Sequence, residues 1–326
     1  MTGFLARRLG QSLVVIAAVG LLAFLMFRFL GDPVVTILGA NSTGLQRDAL
    51  RREMGLDGPL AFQFLDYLGQ ALRGDFGLSY RLGRPVSQVL LERAPATIEL
   101  AVVGMLLALA VGIPAGVHAA LKRRGFASRL TLGLSLVGIS MPSFFMGMLL
   151  IFVFSVTLGW LPSFGRGETV RVGAWTTGLL TLSGLKALVM PAVTISMFQI
   201  AMIMRLVRAE MLEVLRADFV RFARARGLSA RAVNLRHALG NTLVPVITVV
   251  GLQLGSIIGF AVVTEAVFQW PGLGLLFLQS VAAADFPLLA AYLIVVALVF
   301  VTINLIVDLL YYAIDPRLRL TAGAAR

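Results

Sequence analysis

Asn304 and Asp308 are polar side chains in an otherwise apolar stretch near the carboxyl terminus. They lie four residues apart, so an α-helix would place both on one face. A carboxylate in so apolar a setting is a candidate for proton or ion transfer along a pathway. Asp308 is close to the end of the stretch, where it can pair with an arginine or reach water, and we therefore favour a structural role for it. A further acid, Glu99, lies near the start of another apolar stretch.

A second candidate site is the segment 209–240, which is rich in arginine and carries apolar residues at helical spacing. The spacing predicts one helix from its start to Arg226, and the apolar face of that helix is made of Met211, Leu212, Leu215, Phe219, Phe222 and Ala223. Gly227 predicts a left-handed stop, and Ser229 predicts the N-cap of a second short helix that ends at about Leu239. Such a basic amphipathic hairpin would suit either anionic lipid or a groove on a protein partner, and the pattern leaves both open.

Residue sets typical of enzymes and metal sites are missing from the sequence. There is no cysteine, which excludes disulfides, thiolate nucleophiles and zinc-thiolate sites. Both histidines, His118 and His237, lie among arginines without a carboxylate cluster. Neither lysine, Lys122 nor Lys186, follows a glycine, so no phosphate-binding G-x-x-x-x-G-K loop exists. We therefore expect no catalytic, metal or cofactor site and no ATPase activity in this chain.

The composition indicates that lipid is the main solvent of this 326-residue chain. Hydrophobic residues make up 59% of it and charged residues only 13%, and the mean hydropathy is +0.92. A soluble domain usually carries about 25% charged residues. Six stretches are long and apolar enough for a helix to cross a bilayer core of about 30 Å. They are 9–30, 96–118, 130–159, 187–207, 243–264 and 286–314. The sequence thus predicts an all-α polytopic membrane protein with six transmembrane helices.

The distribution of basic residues predicts the orientation of these helices. The net charge of +12 could suggest nucleic acid, but 17 of the 28 lysines and arginines fall at the two termini or in and beside loops 118–130 and 208–242. Basic residues collect on the cytoplasmic side of membrane proteins, so these loops and both termini are expected there. This accounts for the charge without nucleic acid. The first stretch is too long for a cleaved signal peptide and is expected to be retained.

Residues 31–95 are expected to form an extracytoplasmic insertion with two helices of its own. Ser42 or Thr43 can cap the first helix, which would end at Gly55, and Pro59 would start the second. The apolar face of the second helix is made of Leu60, Phe64, Tyr67, Leu68, Ala71 and Leu72. This face would pack on the outer ends of the spans, or it would also help to dock a soluble partner.

Characteristic motifs follow one another along nearly the whole chain. They are FLARRL, MGLDGPL, GDFGLSY, ERAPATIELA, GISMPSFFMGMLL, GWLPSFG, DFVRFARARGLSARAVNLRHALGNTLVP, EAVFQWPGLG and NLIVDLLYYAIDPRLR. In this order and spacing, the chain resembles the inner-membrane permease subunits of ATP-binding-cassette importers, in the dipeptide, oligopeptide and nickel group. The resemblance implies the type I ABC importer permease fold, a bacterial inner-membrane location and no enzymatic activity.

The resemblance also implies a role for the 209–240 hairpin, because in this family the cytoplasmic hairpin docks in a groove of the ATPase subunit. Many other importers carry Glu-Ala-Ala where this chain has Arg221, Phe222 and Ala223, and Gly227 matches the glycine of the family motif. The downstream proline, Pro245, lies later than in the general motif. The residues implied in coupling are Arg216, Phe219, Arg221, Phe222, Ala223, Gly227 and Leu228.

The implied partners are a second homologous permease subunit, two ATP-binding-cassette ATPase subunits and an extracytoplasmic solute-binding protein. ATP and magnesium would bind to the ATPase subunits, and this chain would form half of the solute path. The implied organisation is an N-terminal transmembrane helix in 1–30, the extracytoplasmic insertion in 31–95, a permease core in 96–316 and a cytoplasmic tail in 317–326. Peptides, nickel and glutathione use closely similar permeases, so the solute stays open. The alternative is a self-sufficient secondary transporter or channel, which would work without partner subunits.

Overall fold

The computed structural model describes residues 2–29, 42–53, 58–123 and 125–314, together with positions 34 and 38. Its helices and strands, in chain order, are α1 Thr2–Phe29, α2 Gly44–Glu53, α3 Leu60–Leu72, α4 Val86–Leu121, α5 Phe126–Ser140, α6 Ser143–Leu150, β1 Val170–Val172, β2 Trp175–Thr177, α7 Leu182–Val214, α8 Asp218–Ala225, α9 Ala230–Ala232, α10 Leu239–Val267, α11 Leu273–Ala282 and α12 Phe286–Ile314. A π-helical segment, Ile151–Thr157, continues α6, and another, Val233–Ala238, joins α9 to α10. The predicted ends at Gly55 and in the tail 317–326 lie outside the described residues.

Five segments are long and apolar enough to cross a membrane unbroken, and they are Arg8–Met26, Val86–Leu121, Leu182–Val214, Ala230–Val267 and Phe286–Leu309. One further crossing would consist of Ser128–Ser140 and Ser143–Thr157, which are bent by 107° where they meet. Pro142 explains the bend, because a residue before proline is pushed out of the helical region and Met141 has a ψ of 129°. The stretch predicted over 130–159 is thus one span broken at Pro142 instead of a continuous helix. The other five predicted stretches overlap these helices.

The centre of the molecule is a pair of helices, α4 and α7, joined by a seam of small residues. On α4 the seam recurs every four residues as Gly104, Ala108, Gly112, Gly116 and Ala120. The three glycines lie against Ile195, Ile203 and Val207 of α7, each 91 residues further along the chain than its partner. A Cβ on Gly116 would lie only 2.6 Å from the backbone carbonyl oxygen of Met204. Small residues at such spacing let helix backbones approach closely, which is the main source of attraction between helices in lipid.

The constant offset of 91 residues means that α4 and α7 run in the same direction. Both helices finish at the same end of the pair, which we call the hairpin end. We call the opposite end the loop end. Because α4 finishes at the hairpin end and α7 starts at the loop end, the bent helices α5 and α6 together cross the molecule once between them. Within the described part of the chain this gives six crossings, as predicted.

The remaining long helices pack around this pair. α10 and α12 run antiparallel, with Gly251 against Val307 and Gly255 against Phe300. α1 packs along α12. The largest core cluster lies between α4, α7 and α10, and its buried members include Met105, Ile203, Val207, Met211, Val246 and Ile257.

A buried ion pair links the loop before β1 to α4 at the loop end. The guanidinium of Arg166 donates to the carboxylate of Glu99 at 2.5 Å and to the carbonyl oxygen of Thr176 at 2.7 Å, and the two charged side chains are only 6% and 5% exposed. The indole nitrogen of Trp175 also donates to Glu99, at 3.3 Å. Glu99, weighed above as a proton-relay candidate, is thus held by an arginine and by the β1–β2 hairpin.

Two further buried carboxylates hold loops or helices together at the same end. Asp285 accepts hydrogen bonds from the hydroxyl of Ser79 at 2.5 Å and from the backbone N–H of Tyr80 at 3.2 Å, which ties the loop before α4 to the loop before α12. Glu265 accepts from the hydroxyl of Thr97 at 2.6 Å and from the backbone N–H of Leu275 at 2.9 Å, in the first turn of α11. Carboxylates satisfied in this way fix backbone geometry.

The helix α3 packs against α1, as its apolar face predicted. The ring of Phe24 lies 5.5 Å from that of Phe64 and 5.9 Å from that of Tyr67, measured between centroids. The two ends of the predicted face, Leu60 and Leu72, are exposed instead of packed. They are the first and last residues of the helix.

Candidate functional site

The candidate coupling hairpin is the segment 215–239, in which the chain leaves α7, turns twice and enters α10. The predicted single helix up to Arg226 is wrong, because the chain breaks at 215–217 and starts α8 at Asp218. The break lets α8 fold back, so that Val220 and Ala223 are buried against Val233. Burial of these three side chains gives the hairpin a small core of its own.

The turn after α8 follows the sequence prediction. Gly227 has a φ of +78°, which is the left-handed region that glycine tolerates best. The hydroxyl of Ser229 accepts a hydrogen bond from the backbone N–H of Ala232 at 3.3 Å, as an N-cap does. The left-handed stop and the N-cap are therefore confirmed. The predicted end of the second helix at Leu239 is wrong, since helical structure continues through the π-helical segment into α10.

Apart from Gly227, which forms the turn, the coupling residues named from the sequence fall into three places on this hairpin. Phe219, Phe222 and Leu228 are exposed, and Phe222 is 64% accessible. Ala223 lies inside the hairpin core with Val220 and Val233. The two remaining residues, Arg216 and Arg221, line a cavity of about 620 Å³ between the hairpin and the end of α4.

The hairpin therefore has two chemically different flanks. On α8, Phe219 and Phe222 lie on one side of the buried residues, whereas Arg221 and Arg224 lie on the other side, because each residue advances 100° around a helix. The basic flank faces the cavity, which Arg123 also lines. The apolar flank faces away from it and is exposed.

A groove of about 400 Å³ lies between α5, α6, α7 and α10, and the sequence interpretation did not find it. Its polar lining consists of Ser143, Thr194, Gln199, Gln253, Ser256 and Thr264, and the rest is mainly methionine, isoleucine, valine and phenylalanine. The side-chain carbonyl of Gln199 is buried and has no hydrogen-bond partner within the described residues. The available signal was a single glutamine inside each of two apolar stretches, at Gln199 and Gln253.

Asn304 and Asp308 belong neither to the hairpin nor to the groove. Asp308 lies 3.0 Å from the guanidinium of Arg8, and both line a cavity of about 360 Å³ between α1, α10 and α12. Asn304 lines the same cavity, and its carbonyl oxygen is buried without a partner among the residues that the structure places. This geometry gives Asp308 an ion pair that holds α1 on α12. In the described ranges, no three His, Cys, Asp or Glu residues come together in a way that could hold a metal ion.

The chain matches known proteins over nearly its whole length. The family described as the binding-protein-dependent transport system inner membrane component matches residues 112–320, and the N-terminal family of such membrane components matches 1–101. The di/tripeptide transport system permease protein DppB of Pseudomonas aeruginosa is 40% identical over 98% of this chain and 99% of its own length. The glutathione transport system permease protein GsiC of Escherichia coli K12 is 39% identical over the same shares of the two chains.

A solved structure supports the fold independently of sequence identity. The MetNI methionine ABC transporter, in an inward-facing conformation, aligns with a TM-score of 0.57 over 70% of this chain and 96% of its own, at 18% identity. The predicted type I ABC importer permease fold is confirmed. Proteins of this family work with ATPase and substrate-binding components, and the catalytic ATPase lies in the partner subunits. This chain is a member of the family of inner-membrane components of binding-protein-dependent transport systems, a multi-pass permease subunit of an ABC importer and not an enzyme.

Proposed function

We propose that this chain forms one wall of a path for peptides or a related small solute, and that its hairpin opens the path when the ATPase subunits move. The observation that carries the proposal is the covalent connection between the hairpin and the groove. α7 lines the groove through Thr194 and Gln199 and then runs directly into the hairpin, whereas α10 leaves the hairpin and lines the groove through Gln253 and Ser256. A displacement of the hairpin therefore moves two walls of the groove together.

The apolar flank of the hairpin is the proposed contact with an ATPase subunit. Phe219 and Phe222 present two aromatic rings outside the hairpin core. An aromatic pair of this kind fits a hydrophobic groove on a protein better than it fits a solvated surface. Arg216 and Arg221 would contribute charge beside the contact, and Leu228, which lines the cavity with them, would add apolar surface there. ATP and magnesium would bind only to the ATPase subunits.

The proposed orientation places the hairpin end and both termini in the cytoplasm. Most of the basic residues gather at that end, which agrees with the rule for cytoplasmic loops. The loop end, with its β1–β2 hairpin and the loop tied by Asp285, would then meet the solute-binding protein outside. A second homologous permease would complete the path, and two ATPase subunits would drive it.

The groove suits solutes that carry amide groups. None of the described residues that line it is charged, and Gln199 offers a side-chain carbonyl without a hydrogen-bond partner. A peptide N–H could supply the missing donor. Methionines at Met141, Met146 and Met197 adapt their shape easily, so they would accept side chains of different size. Relatives named for di/tripeptide and glutathione transport support this solute class.

Gly227→Val tests the role of the hairpin. A β-branched residue at φ +78° should strain the turn by about 1 to 2 kcal/mol and misdirect the chain that follows. We expect the variant to reach the membrane at the normal level but to lose most ATPase retention and transport. The measurement is the amount of ATPase subunit that co-purifies with the tagged permease, followed by solute uptake in reconstituted vesicles.

Gly227→Asn is the matched control for this experiment, because asparagine tolerates the left-handed region and should keep most of both signals. Phe222→Asp should also release the ATPase while leaving the turn intact, since it places a charge on the proposed docking flank. Normal ATPase retention and uptake in both Gly227→Val and Phe222→Asp would exclude the coupling role and favour a hairpin that rests on lipid.

Gln199→Leu tests the groove as the solute path. The substitution removes the unpartnered carbonyl but keeps a similar volume, so the fold and the ATPase contact should be unaffected. We expect uptake of a dipeptide to fall about tenfold, which corresponds to the loss of one good hydrogen bond in a dry site. Gln279→Leu is the control, because Gln279 lies on α11 and does not line the groove. Equal uptake by the two variants would place the solute path elsewhere.

A further inference from the structure

The helix α3 contacts the first span well inside its apolar length. Leu68 lies beside Gly20, since a Cβ on that glycine would be 3.2 Å from the Leu68 side chain. Gly20 is six residues before Met26, the end of the apolar window of α1, which is about 9 Å along a helix. The α3 helix therefore lies beside the bilayer core and not above it.

Contacts with the last span give the same depth. Tyr67 and Ala71 of α3 pack with Ala290 and Ile294 of α12. These two residues follow the first residue of α12, Phe286, by four and eight positions, or about 6 and 12 Å along the helix axis. Two independent spans thus place α3 within one leaflet at the loop end.

The surface of α3 that does not pack divides into an apolar and a polar sector. The apolar sector contains Ala61, Phe62, Leu65 and Leu72, which share one side of the helix. Phe62 is 70% exposed and Leu65 is 62% exposed. On the other side of the packed face lie Gln63, Asp66 and Gln70, and the amide of Gln70 donates to the carboxylate of Asp66 at 2.9 Å.

We propose that α3 is an interfacial helix embedded in the leaflet at the loop end, with Phe62 and Leu65 among lipid acyl chains and Asp66 and Gln70 at the headgroups. On α1, Leu21 and Leu22 directly follow Gly20, which contacts Leu68, and both are exposed and belong to a membrane span, so exposed apolar side chains flank the contact on both helices. This arrangement and the depth identify the occupant as lipid. A soluble partner would have to displace lipid from beside α1 to reach the same side chains. The insertion between α1 and α4 is then partly a membrane element.

Spin labels on single cysteines test the proposal, and the absence of native cysteine in this chain makes each label unique within it. Leu65→Cys and Gln70→Cys would be labelled in the assembled transporter, with any cysteines of its partner subunits replaced, and studied in lipid nanodiscs. Oxygen concentrates in the bilayer core, whereas a water-soluble nickel chelate does not enter it. We expect the ratio of oxygen to nickel accessibility to be about threefold or more higher at residue 65 than at residue 70.

Reference labels set the two ends of the scale. Leu22→Cys, on the exposed side of α1, gives the accessibility ratio expected in lipid. Asp218→Cys, on the hairpin, gives the ratio expected in water. A ratio at residue 65 close to that at residue 218 would overturn the proposal. Adding a purified solute-binding protein should leave the spectrum of residue 65 unchanged, and immobilisation there would assign the surface to that partner instead. These outcomes do not depend on transport, so loss of the proposed coupling role would leave them interpretable.

Discussion

Gly116→Val should leave little assembled transporter in the membrane. The valine Cβ would lie 2.6 Å from the backbone carbonyl oxygen of Met204 and 2.8 Å from the Cβ of Val207. A backbone oxygen within a helix cannot turn aside as a flexible side chain can, so α4 and α7 must separate. Over-packing of this kind costs about 3 kcal/mol. Separation also weakens contacts along the rest of the seam, which supply the attraction between the two helices in lipid.

The measurements are the yield and the apparent Tm of the purified complex, both monitored through a fluorescent tag on this chain. Gly116→Ala should give an intermediate yield, because alanine brings the same Cβ without the two further methyl groups. Gly133→Val is the matched control, since Gly133 is also helical and its Cβ would have no atom within 4 Å. If the valine variants at 116 and 133 gave equal yield and Tm, the seam would not be what holds α4 to α7.

Glu99→Leu should lower the stability of the complex at least as strongly. The substitution leaves the guanidinium of Arg166 buried at the loop end without its carboxylate. Removing one partner of a buried ion pair costs about 3 to 5 kcal/mol, because the remaining charge has neither water nor a counter-ion. The β1–β2 hairpin should loosen at the same time, since the indole of Trp175 also loses its acceptor. A drop in Tm and faster proteolysis within 166–177 are the expected readouts.

A second substitution separates the charge effect from simple loss of packing. Glu99→Leu combined with Arg166→Met should recover much of the lost Tm, because no unpaired charge remains. The exposed pair Arg84 and Glu92 is the control, with side chains 48% and 55% accessible to solvent. Glu92→Leu should change stability by less than about 1 kcal/mol. A double variant as unstable as Glu99→Leu alone would show that shape, and not charge, matters at this site.

The features that sequence predicted well are those with local causes. Long apolar stretches gave the number of crossings, and Gly227 and Ser229 gave the turn of the hairpin through their own backbone preferences. The face of α3 that packs on α1 followed from helical spacing alone. Each of these signals lies within a few residues of the structure that it specifies.

The features that sequence reasoning missed depend on contacts far apart in the chain. The break before Asp218 lets α8 pack in a core that includes Val233, and no pattern between 209 and 226 predicts this break. The sequence interpretation did not single out Glu265, which joins α4 to α11, or Asp285, which holds the loop before α4. Pro142 marks the position of the bend in the sequence, but it does not give its size of 107°. Gln199 stands alone in its apolar stretch, and only the packing of α5, α6, α7 and α10 places it in a groove.

The four-residue repeat on α4 was present in the sequence, and its meaning needed the partner helix. The seam also determines when α4 can pair with α7 during synthesis of the chain. Each seam contact joins a residue of α4 to a residue of α7 that lies 91 positions later. At typical rates of translation, about 5 to 20 s therefore separate the synthesis of the two residues. During that interval α4 lies in lipid with its narrow glycine face unoccupied. A small-residue helix from another membrane protein could fill that face first, so insertion of α7 is the step at which correct assembly competes with mispairing.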